Sequence, residues 1–287
     1  NYSTVLYRYL IVCFISRYNL LNHFPCAKKM RSSFWIISKT CHFCTSSVTN
    51  KVIPKKLKAR SRSSQDWLTR QLNDPYVKLA KYEQARSAFK LQEIDERHKI
   101  LKPGQVVVEC GAAPGAWTQV AVSGVNSLPK GVVIAVDILS IHPLPGAVTL
   151  GGKDFTLSET QQEILNVLKG RKVDLVLSDM APNATGTKEL DHENIIALAY
   201  SALRFAIQHS DLQSTFLCKI WSGYRDRQLI TDMEKFYRSV KVVKPPSSRS
   251  DSSEIFLLGK KFYITPDDSR GKSVWRLISV IQYHHKG

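Results

Sequence analysis

The chain has 287 residues, of which 43% are hydrophobic, and its formal net charge at pH 7 is +17. This composition allows one large globular domain with a buried core and additional terminal segments. Four of the six cysteines precede residue 65, and the other two, Cys110 and Cys218, lie in apolar runs. The cysteine pattern therefore excludes a secreted disulfide scaffold and favours a reducing or organellar compartment.

The positive charge is concentrated in the first 65 residues, which contain 12 of the 41 Lys and Arg residues and no Asp or Glu. The other 222 residues contain 29 basic and 24 acidic residues, a net charge of +5. An acid-free segment rich in Arg, Lys and Ser is typical of a mitochondrial transit peptide. A secretory signal with its apolar core at 5–15, or a tail without targeting function, are the alternatives.

The first methionine is Met30, so we expect the natural start there and interpret residues 1–29 as upstream sequence. The sequence predicts a basic leader and linker over 1–65, with the linker at 55–64. It also predicts a main domain over 66–265 and a tail without an assigned role over 266–287. Cys41 and Cys44 form a lone C-x-x-C pair without a second ligand pair, so we predict no metal site.

Beyond the leader, Asp74-Pro75 is a helix-start signal, and a helix is predicted over 76–100. Short apolar runs then alternate with amphipathic segments, a pattern that predicts an α/β fold with a mostly parallel sheet covered by helices on both faces. No membrane span is predicted. The strands are expected at 106–110, 131–137, 147–152, 173–179, 215–220, 240–244 and 254–263, and the helices at 116–124, 158–170, 193–210 and 225–239.

The loop after the first strand contains Gly111 and Gly115, which allow a close backbone approach to a ligand ahead of a helix N-terminus. Acids end or follow the next strands at Asp137, Asp154 and Asp179. One such acid is more often a helix cap, but three at the carboxyl ends of parallel strands predict a nucleoside cofactor. S-adenosylmethionine fits better than NAD, because the glycine pattern is not G-x-G-x-x-G and the acids suit a charged amino-acid tail.

Five segments together closely resemble the FtsJ/RrmJ family of ribose 2′-O-methyltransferases, and the resemblance extends over residues 65–262. They are RSAFKLQEID (86–95), GAAPGAW (111–117), LSDMAPNATG (177–186), FLCKIW (216–221) and KPPSSRSDSSE (244–254). DPYVK (74–78) and LDHE (190–193) are most similar to the mitochondrial branch, which methylates a uridine ribose in large-subunit rRNA. The resemblance implies a Rossmann-like methyltransferase fold with seven strands, the last one antiparallel. HSDLQS (209–214) departs from the family pattern and is expected to be a peripheral loop.

The resemblance also implies a Lys–Asp–Lys–Glu tetrad at Lys90, Asp179, Lys219 and Glu254. It implies S-adenosylmethionine contacts, which with Gly111 give the set Gly111, Pro114, Gly115, Ala116, Trp117, Asp137, Asp154 and Asp179. In that chemistry Lys219 takes a proton from the ribose hydroxyl or stabilises the developing alkoxide, and Asp179 orients it. Lys90 and Glu254 hold the ribose. Considered alone, Lys219 could equally be a lysine that reaches from an apolar strand to the sheet edge.

The predicted partner is mitochondrial large-subunit rRNA, free or in a pre-ribosomal particle, and we expect a monomer in the mitochondrial matrix. A tRNA ribose methyltransferase and a ribosome-assembly factor that acts mainly by binding rRNA are the rival interpretations. His192 is interpreted as making a helix-start hydrogen bond rather than acting as a base. Candidate RNA contacts are Lys78, Lys81, Arg86, Lys244 and Arg249, against the alternative of a solvated face for Lys78 and Lys81.

Overall fold

The structure, a computed structural model, describes residues 86–126 and 131–263. The predictions for the leader, Lys78, Lys81 and residues 266–287 lie outside these residues. Five helices and seven strands occur in the described part of the chain. The helices are α1 (Arg86–His98), α2 (Ala116–Val125), α3 (Ser158–Leu168), α4 (Lys188–His209) and α5 (Asp226–Glu234); the strands are β1 (Val106–Cys110), β2 (Val132–Asp137), β3 (Ala147–Gly151), β4 (Val173–Ser178), β5 (Ser210–Trp221), β6 (Tyr237–Val243) and β7 (Glu254–Phe262).

The seven strands form one sheet in the order β3-β2-β1-β4-β5-β7-β6. The first five strands are mutually parallel, whereas β7 runs antiparallel to both β5 and β6. This arrangement confirms the predicted Rossmann-like fold and its antiparallel last strand. Chain order reverses between β1 and β4, so ligands are expected at the carboxyl ends of these central strands.

Helices cover both faces of the sheet because the central strands carry apolar side chains on both sides. On one face, α1 and α2 bury a cluster that includes Leu91, Leu217 and Phe256. On the other face, α3, α4 and α5 bury a larger cluster that includes Ile164 and Phe205. Each fully buried side chain of this kind contributes about 1.5–3 kcal/mol of transfer free energy. The two cores hold the strand ends, and hence the polar side chains beyond them, at fixed separations.

Several element boundaries differ from the sequence-based expectation. The expected loop 209–214 is wrong, because β5 begins at Ser210 and pairs with Val173, with an irregular register before Leu175. Helix α4 begins at Lys188 rather than 193, and acids in its first turn favour that earlier start. Within residues 86–126 and 131–263, no helix is long and apolar enough to cross a membrane.

Candidate active site

The first ionic pair of the site joins the end of β4 to β5. Lys219 Nζ donates a hydrogen bond to the carbonyl oxygen of Asp179 at 2.6 Å and lies 2.9 Å from Oδ1 of the same residue. The second contact is an ion pair between the ammonium and the carboxylate. Burial raises the pKa of Asp179 above its ordinary value, and the ammonium group of Lys219 opposes that shift. The pair is therefore a partly desolvated carboxylate held against a cation.

A second pair joins α1 to the start of β7. Lys90 Nζ lies 2.7 Å from Oε1 and 2.8 Å from Oε2 of Glu254, so the ammonium contacts both carboxylate oxygens. The side chains of the two residues are only 16% and 13% exposed. Ser248 Oγ donates a further hydrogen bond to Glu254 Oε1 at 2.9 Å. Because both charges are largely shielded from water, this pair holds the start of α1 against the sheet.

Strand register brings the two pairs together. Lys219 is opposite Phe256, and Glu254 is opposite Trp221, so Lys219 and Glu254 are diagonal neighbours on one face of the sheet. Such neighbours are about 7–8 Å apart. The charges of Lys90 and Glu254 also act on Asp179. The structure thus places all four predicted tetrad residues in one cluster at the carboxyl end of the sheet.

A pocket of about 290 Å³ opens beside the second pair, and its lining carries both signs of charge. Burial, followed by the positive charge of Arg249, lowers the pKa of Arg86. The predicted RNA contacts Arg86 and Arg249 are therefore neighbours in this pocket. Lys244 instead donates to the carbonyl oxygen of Ser252 and closes the loop between β6 and β7. The pocket is lined by Arg86, Lys90, Arg249, Asp251, Ser252 and Glu254.

The β6–β7 loop is hydrogen-bonded to α1 at Ser247. Arg86 Nε donates to the Ser247 carbonyl oxygen at 2.8 Å, and the Ser247 N–H donates to Glu93 Oε2 at 2.8 Å. Both bonds involve side chains on the face of α1 that also carries Lys90. The pocket wall and the second ionic pair consequently depend on the same helix.

Both glycines of the β1–α2 loop adopt a positive φ, which is a conformational reason for glycine that the sequence did not indicate. A Cβ on Gly111, which has φ +79°, would lie 2.6 Å from the backbone nitrogen of Met180. Gly111 is thus required where the loop packs against the residue that follows Asp179, rather than only for ligand approach. Gly115 precedes α2 with φ +111°, and its Cβ would lie 2.8 Å from Leu144. After Gly115, the first-turn N–H groups of α2, including that of Ala116, point away from the helix.

Trp117 is buried, and its side chain faces the core. Its indole Nε1 donates to the Ser87 carbonyl oxygen at 2.8 Å, and its ring packs against Phe256 with centroids 5.7 Å apart. Only its backbone N–H in the first turn of α2 is available for the predicted cofactor contact. The preceding residue, Pro114, is exposed on the loop.

The acids after β2 and β3 are engaged by nearby donors. Asp137 accepts the N–H of Ala113 at Oδ2 and that of Leu139 at Oδ1, each at 2.8 Å. Asp154 Oδ1 accepts both the N–H and the hydroxyl of Thr156. Each carboxylate oxygen has two acceptor positions, so these bonds leave room for a ligand hydroxyl or amine. The sequence analysis missed an apolar pair beside Asp137: Ile138 and Leu139 are 64% and 63% exposed.

Comparison with known proteins assigns this geometry to a family. Residues 84–262 match the family described as FtsJ-like methyltransferase. The chain belongs to this family. It is 51% identical over 217 residues to "rRNA methyltransferase 2, mitochondrial" of Drosophila melanogaster, covering 73% of this chain and 87% of that protein. It is 44% identical over 216 residues to "Ribosomal RNA large subunit methyltransferase E" of Xanthobacter autotrophicus, covering 74% and 84%. The predicted family is confirmed.

A solved structure shares the fold. A Plasmodium falciparum protein described as a ribosomal RNA methyltransferase aligns with a TM-score of 0.57 and 26% identity, over 63% of this chain and 98% of that chain.

His192 of the present chain bridges two chain segments. Its Nδ1 lies 2.9 Å from the Trp221 carbonyl oxygen, and its Nε2 accepts the N–H of Arg225 at 3.1 Å. The expected helix-start hydrogen bond is present, although at the start of α5 rather than α4. No group of three or more candidate metal ligands occurs within residues 86–126 and 131–263.

The methyltransferase also contains a fully buried acid that the sequence analysis missed, Glu109 in β1. It is fully buried, its Oε2 accepts the hydroxyl of Thr118 at 2.7 Å, and its Oε1 has no hydrogen-bond partner among the described residues. Burial raises the pKa of Glu109 to about 8, and the charges of Asp179 and Asp137 add to the increase. The signal in the sequence was an acid inside the apolar run VVVEC.

Proposed function

We propose that this protein transfers the methyl group of S-adenosylmethionine to a ribose 2′-hydroxyl of RNA, and that the RNA is mitochondrial large-subunit rRNA. The observation that carries the proposal is the convergence of two lysine–carboxylate pairs beside a pocket with two arginines. The proposal that the substrate is rRNA rests on the names of the relatives. The acid-free leader supports the mitochondrial matrix.

The residues around the β1–α2 loop fit S-adenosylmethionine. The exposed pair Ile138 and Leu139 offers an apolar surface suited to an adenine ring, and Asp137 beside it suits ribose hydroxyls. We assign Asp154 to the exocyclic amine and Asp179 to the ammonium of the amino-acid tail. The N–H groups at the start of α2, after Gly111, Pro114 and Gly115, suit its carboxylate. Ala116 and Trp117 would contribute through these backbone groups.

Bound S-adenosylmethionine supplies a methyl group already activated on a positively charged sulfur. The protein must align the ribose oxygen with that carbon and manage the proton of the hydroxyl. An ammonium has three N–H donors, and Asp179 engages Lys219 through one hydrogen bond and one ion pair. Lys219 therefore retains donor capacity for the ribose oxygen and stabilises the charge that develops there, while Asp179 fixes its direction. Proton transfer to a lysine acting as base would add about 10²–10⁴-fold.

Lys90 and Glu254 position the substrate. Their pair lines the pocket, and Arg86 and Arg249 add positive charge to the same lining. Guanidinium groups match the geometry of a phosphate, so the pocket suits the sugar and phosphate of the target nucleotide. Holding the hydroxyl in line in this way can supply about 7–11 kcal/mol of the barrier reduction.

The test is methyl transfer from labelled S-adenosylmethionine. The substrates are mitochondrial large-subunit RNA, free and in immature particles, with mitochondrial tRNA alongside. Label is assigned to a 2′-hydroxyl by the resistance of the modified linkage to alkaline cleavage. Lys219→Met retains the size of the side chain without its charge, and Lys172→Met, at an exposed site in the turn before β4, is the matched control.

Label in the large-subunit RNA that is lost in Lys219→Met but not in Lys172→Met supports the proposal. Label on tRNA instead retains the chemistry and overturns the substrate. Absence of label on all three RNAs, despite cofactor binding measured separately, overturns the enzymatic function and favours a ribosome-assembly factor that acts by binding. Lys219→Arg, which retains a charge but cannot act as a base at neutral pH, distinguishes proton acceptance from charge stabilisation.

A further inference from the structure

The end of α1 that is remote from the active site carries a group of positive side chains from three separate chain segments. Lys260 on β7 donates a 2.8 Å hydrogen bond to the carbonyl oxygen of His98 at the end of α1. Lys241 on β6 is opposite Leu258, so it lies on the same sheet face as Lys260. We refer to this group as the distal cluster; its cations are Arg97, Lys102, Lys241, Lys260 and Lys261.

The cations of the distal cluster are close enough to act on one another. Burial, followed by the charges of Lys102, Lys241 and Lys261, lowers the pKa of Lys260. Burial, followed by the charges of Lys241, Lys260 and Arg97, lowers the pKa of His98. This mutual repulsion raises the free energy of the folded protein. A negatively charged partner would relieve the repulsion.

The described part of the chain supplies little compensating negative charge. No carboxylate within residues 86–126 and 131–263 forms a salt bridge with the five cations. Asp95 and Glu96 immediately precede Arg97 on α1. Asp95 accepts the N–H groups of Ile100 and Leu101 at its Oδ1, and Glu96 is exposed. Four of the five cations are exposed and accessible to a partner: Arg97, Lys102, Lys241 and Lys261.

The distal cluster lies on the same side of the molecule as the pocket. Helix α1 and strand β7 both run from the Lys90–Glu254 pair to the cluster. The eight residues from Lys90 to His98 span about 12 Å at the helical rise. The six residues from Glu254 to Lys260 span about 20 Å at the strand rise. At roughly 3.4 Å between phosphates along the axis, the spacing of a strand of B-form DNA, a nucleic-acid strand covers this distance in about four to six nucleotides.

We infer that the distal cluster binds the phosphate backbone of the substrate RNA several nucleotides away from the methylated ribose. The inference rests on the proposed RNA substrate and adds a second contact surface to it. Five cations clustered at this end of α1 and of the sheet, without compensating salt bridges among the described residues, suit a polyanion better than a single small anion. The contact carries no sequence information and serves to fix the register of the RNA over the pocket.

The test compares two lengths of the RNA that the wild-type enzyme methylates: a fragment with about three nucleotides on each side of the modified ribose, and one with about ten. The test variant is Lys102→Gln/Lys241→Gln. The matched control is Lys169→Gln/Lys172→Gln, at exposed sites beside the end of α3 on the opposite face of the sheet. Lys102→Arg/Lys241→Arg retains the charges, and thermal unfolding verifies that each variant folds.

For the longer RNA, we expect the test variant to raise KM about tenfold with unchanged kcat, and to lower the slope of log KM against log salt by about 1.5. The short RNA, the control variant and the arginine variant should behave as wild type. An equal loss with both lengths, or no loss with either, overturns the inference. A loss seen only with particles indicates an acidic protein surface and also overturns it. If the wild-type enzyme methylates no RNA, the proposed function itself has failed.

Discussion

The indole Nε1 of Trp117 donates a 2.8 Å hydrogen bond to the carbonyl oxygen of Ser87, and this contact ties α2 to the first turn of α1. Lys90 is one turn further along α1, where it meets Glu254. The loop predicted to hold the cofactor and the helix that carries a tetrad lysine are therefore joined through a buried side chain. Trp117 therefore supports the helix that carries Lys90 and also packs within the core.

Trp117→Phe should impair catalysis more than cofactor binding. Phenylalanine retains the apolar contact with Phe256 but removes the indole donor of the hydrogen bond to the Ser87 carbonyl, at a net cost of about 0.5–1.5 kcal/mol. We expect kcat to fall about tenfold because Lys90 loses its fixed position, with the Kd for S-adenosylmethionine changed less than about twofold. Single-turnover kinetics and calorimetry measure the two quantities. Ser87→Ala is the control, because the bond uses a backbone oxygen; a large rise in Kd with normal kcat would contradict the assignment.

Lys90 and Glu254 should show strong thermodynamic coupling. Either Lys90→Met or Glu254→Gln alone leaves a largely buried charge without its partner, whereas the double variant removes both charges. We expect a coupling free energy of about 1–3 kcal/mol from urea unfolding of the full cycle. The control is the Lys153–Glu163 pair, whose side chains are 41% and 39% exposed. Its coupling should lie near 0.2–1 kcal/mol, roughly that of a surface pair. Equal coupling in both cycles would contradict the role given to burial.

Gly111→Ala should damage the loop far more than the matched change Gly152→Ala. Both glycines have positive φ, +79° and +72°, so alanine is strained at either position. Only at Gly111 does the new Cβ meet backbone, at 2.6 Å from Met180 N, whereas at Gly152 nothing lies within 4 Å. We expect Gly152→Ala to cost about 1 kcal/mol of unfolding free energy and Gly111→Ala several times more. Similar losses in the two variants would show that backbone strain, not packing, explains Gly111.

Much of the fold could be predicted because it depends on local patterns, and the tetrad could be predicted because its residues lie in motifs that resemble those of the family. The apolar runs that became β1 to β4 are short, continuous and bounded by turn residues, and Asp179 stands at the end of such a run. Lys219 lies within the apolar strand β5, and Glu254 is the first residue of β7. The register between these two neighbouring strands is sufficient to bring the two residues together. Local periodicity therefore carried the information that the strand assignments needed, whereas the tetrad residues were assigned from the resemblance to the family.

The remaining features depend on tertiary contacts that periodicity does not encode. The early start of β5 at Ser210 lies in a polar stretch, and pairing with Val173 overrides its low strand propensity. The collision that requires Gly111 involves Met180, which is 69 residues away in sequence. The distal cluster likewise combines α1, β6 and β7, and no segment on its own indicates a basic surface. In each case the decisive neighbour is distant in the chain.

Glu109 should make the stability of the protein decrease as the pH rises. Burial raises its folded-state pKa from 4.5 to about 8, so between these values the folded protein retains a proton that the unfolded chain has lost. The folded state then binds more protons than the unfolded state, and the free energy of unfolding falls with pH. A shift of this size corresponds to at most about 5 kcal/mol, complete above pH ~8 and absent below pH ~4.5.

Glu109→Gln should remove this dependence because glutamine stays neutral and can still accept the Thr118 hydroxyl hydrogen bond. We expect the variant to gain stability relative to the wild type on going from about pH 5 to about pH 9, by a few kcal/mol. Urea unfolding at both pH values measures the difference. Thr118→Val is the control, because it deletes the hydrogen bond while keeping the acid, and it should leave the decrease with pH in place. If the difference in unfolding free energy between the wild type and Glu109→Gln is constant with pH, Glu109 titrates alike in the folded and unfolded states and the prediction is wrong.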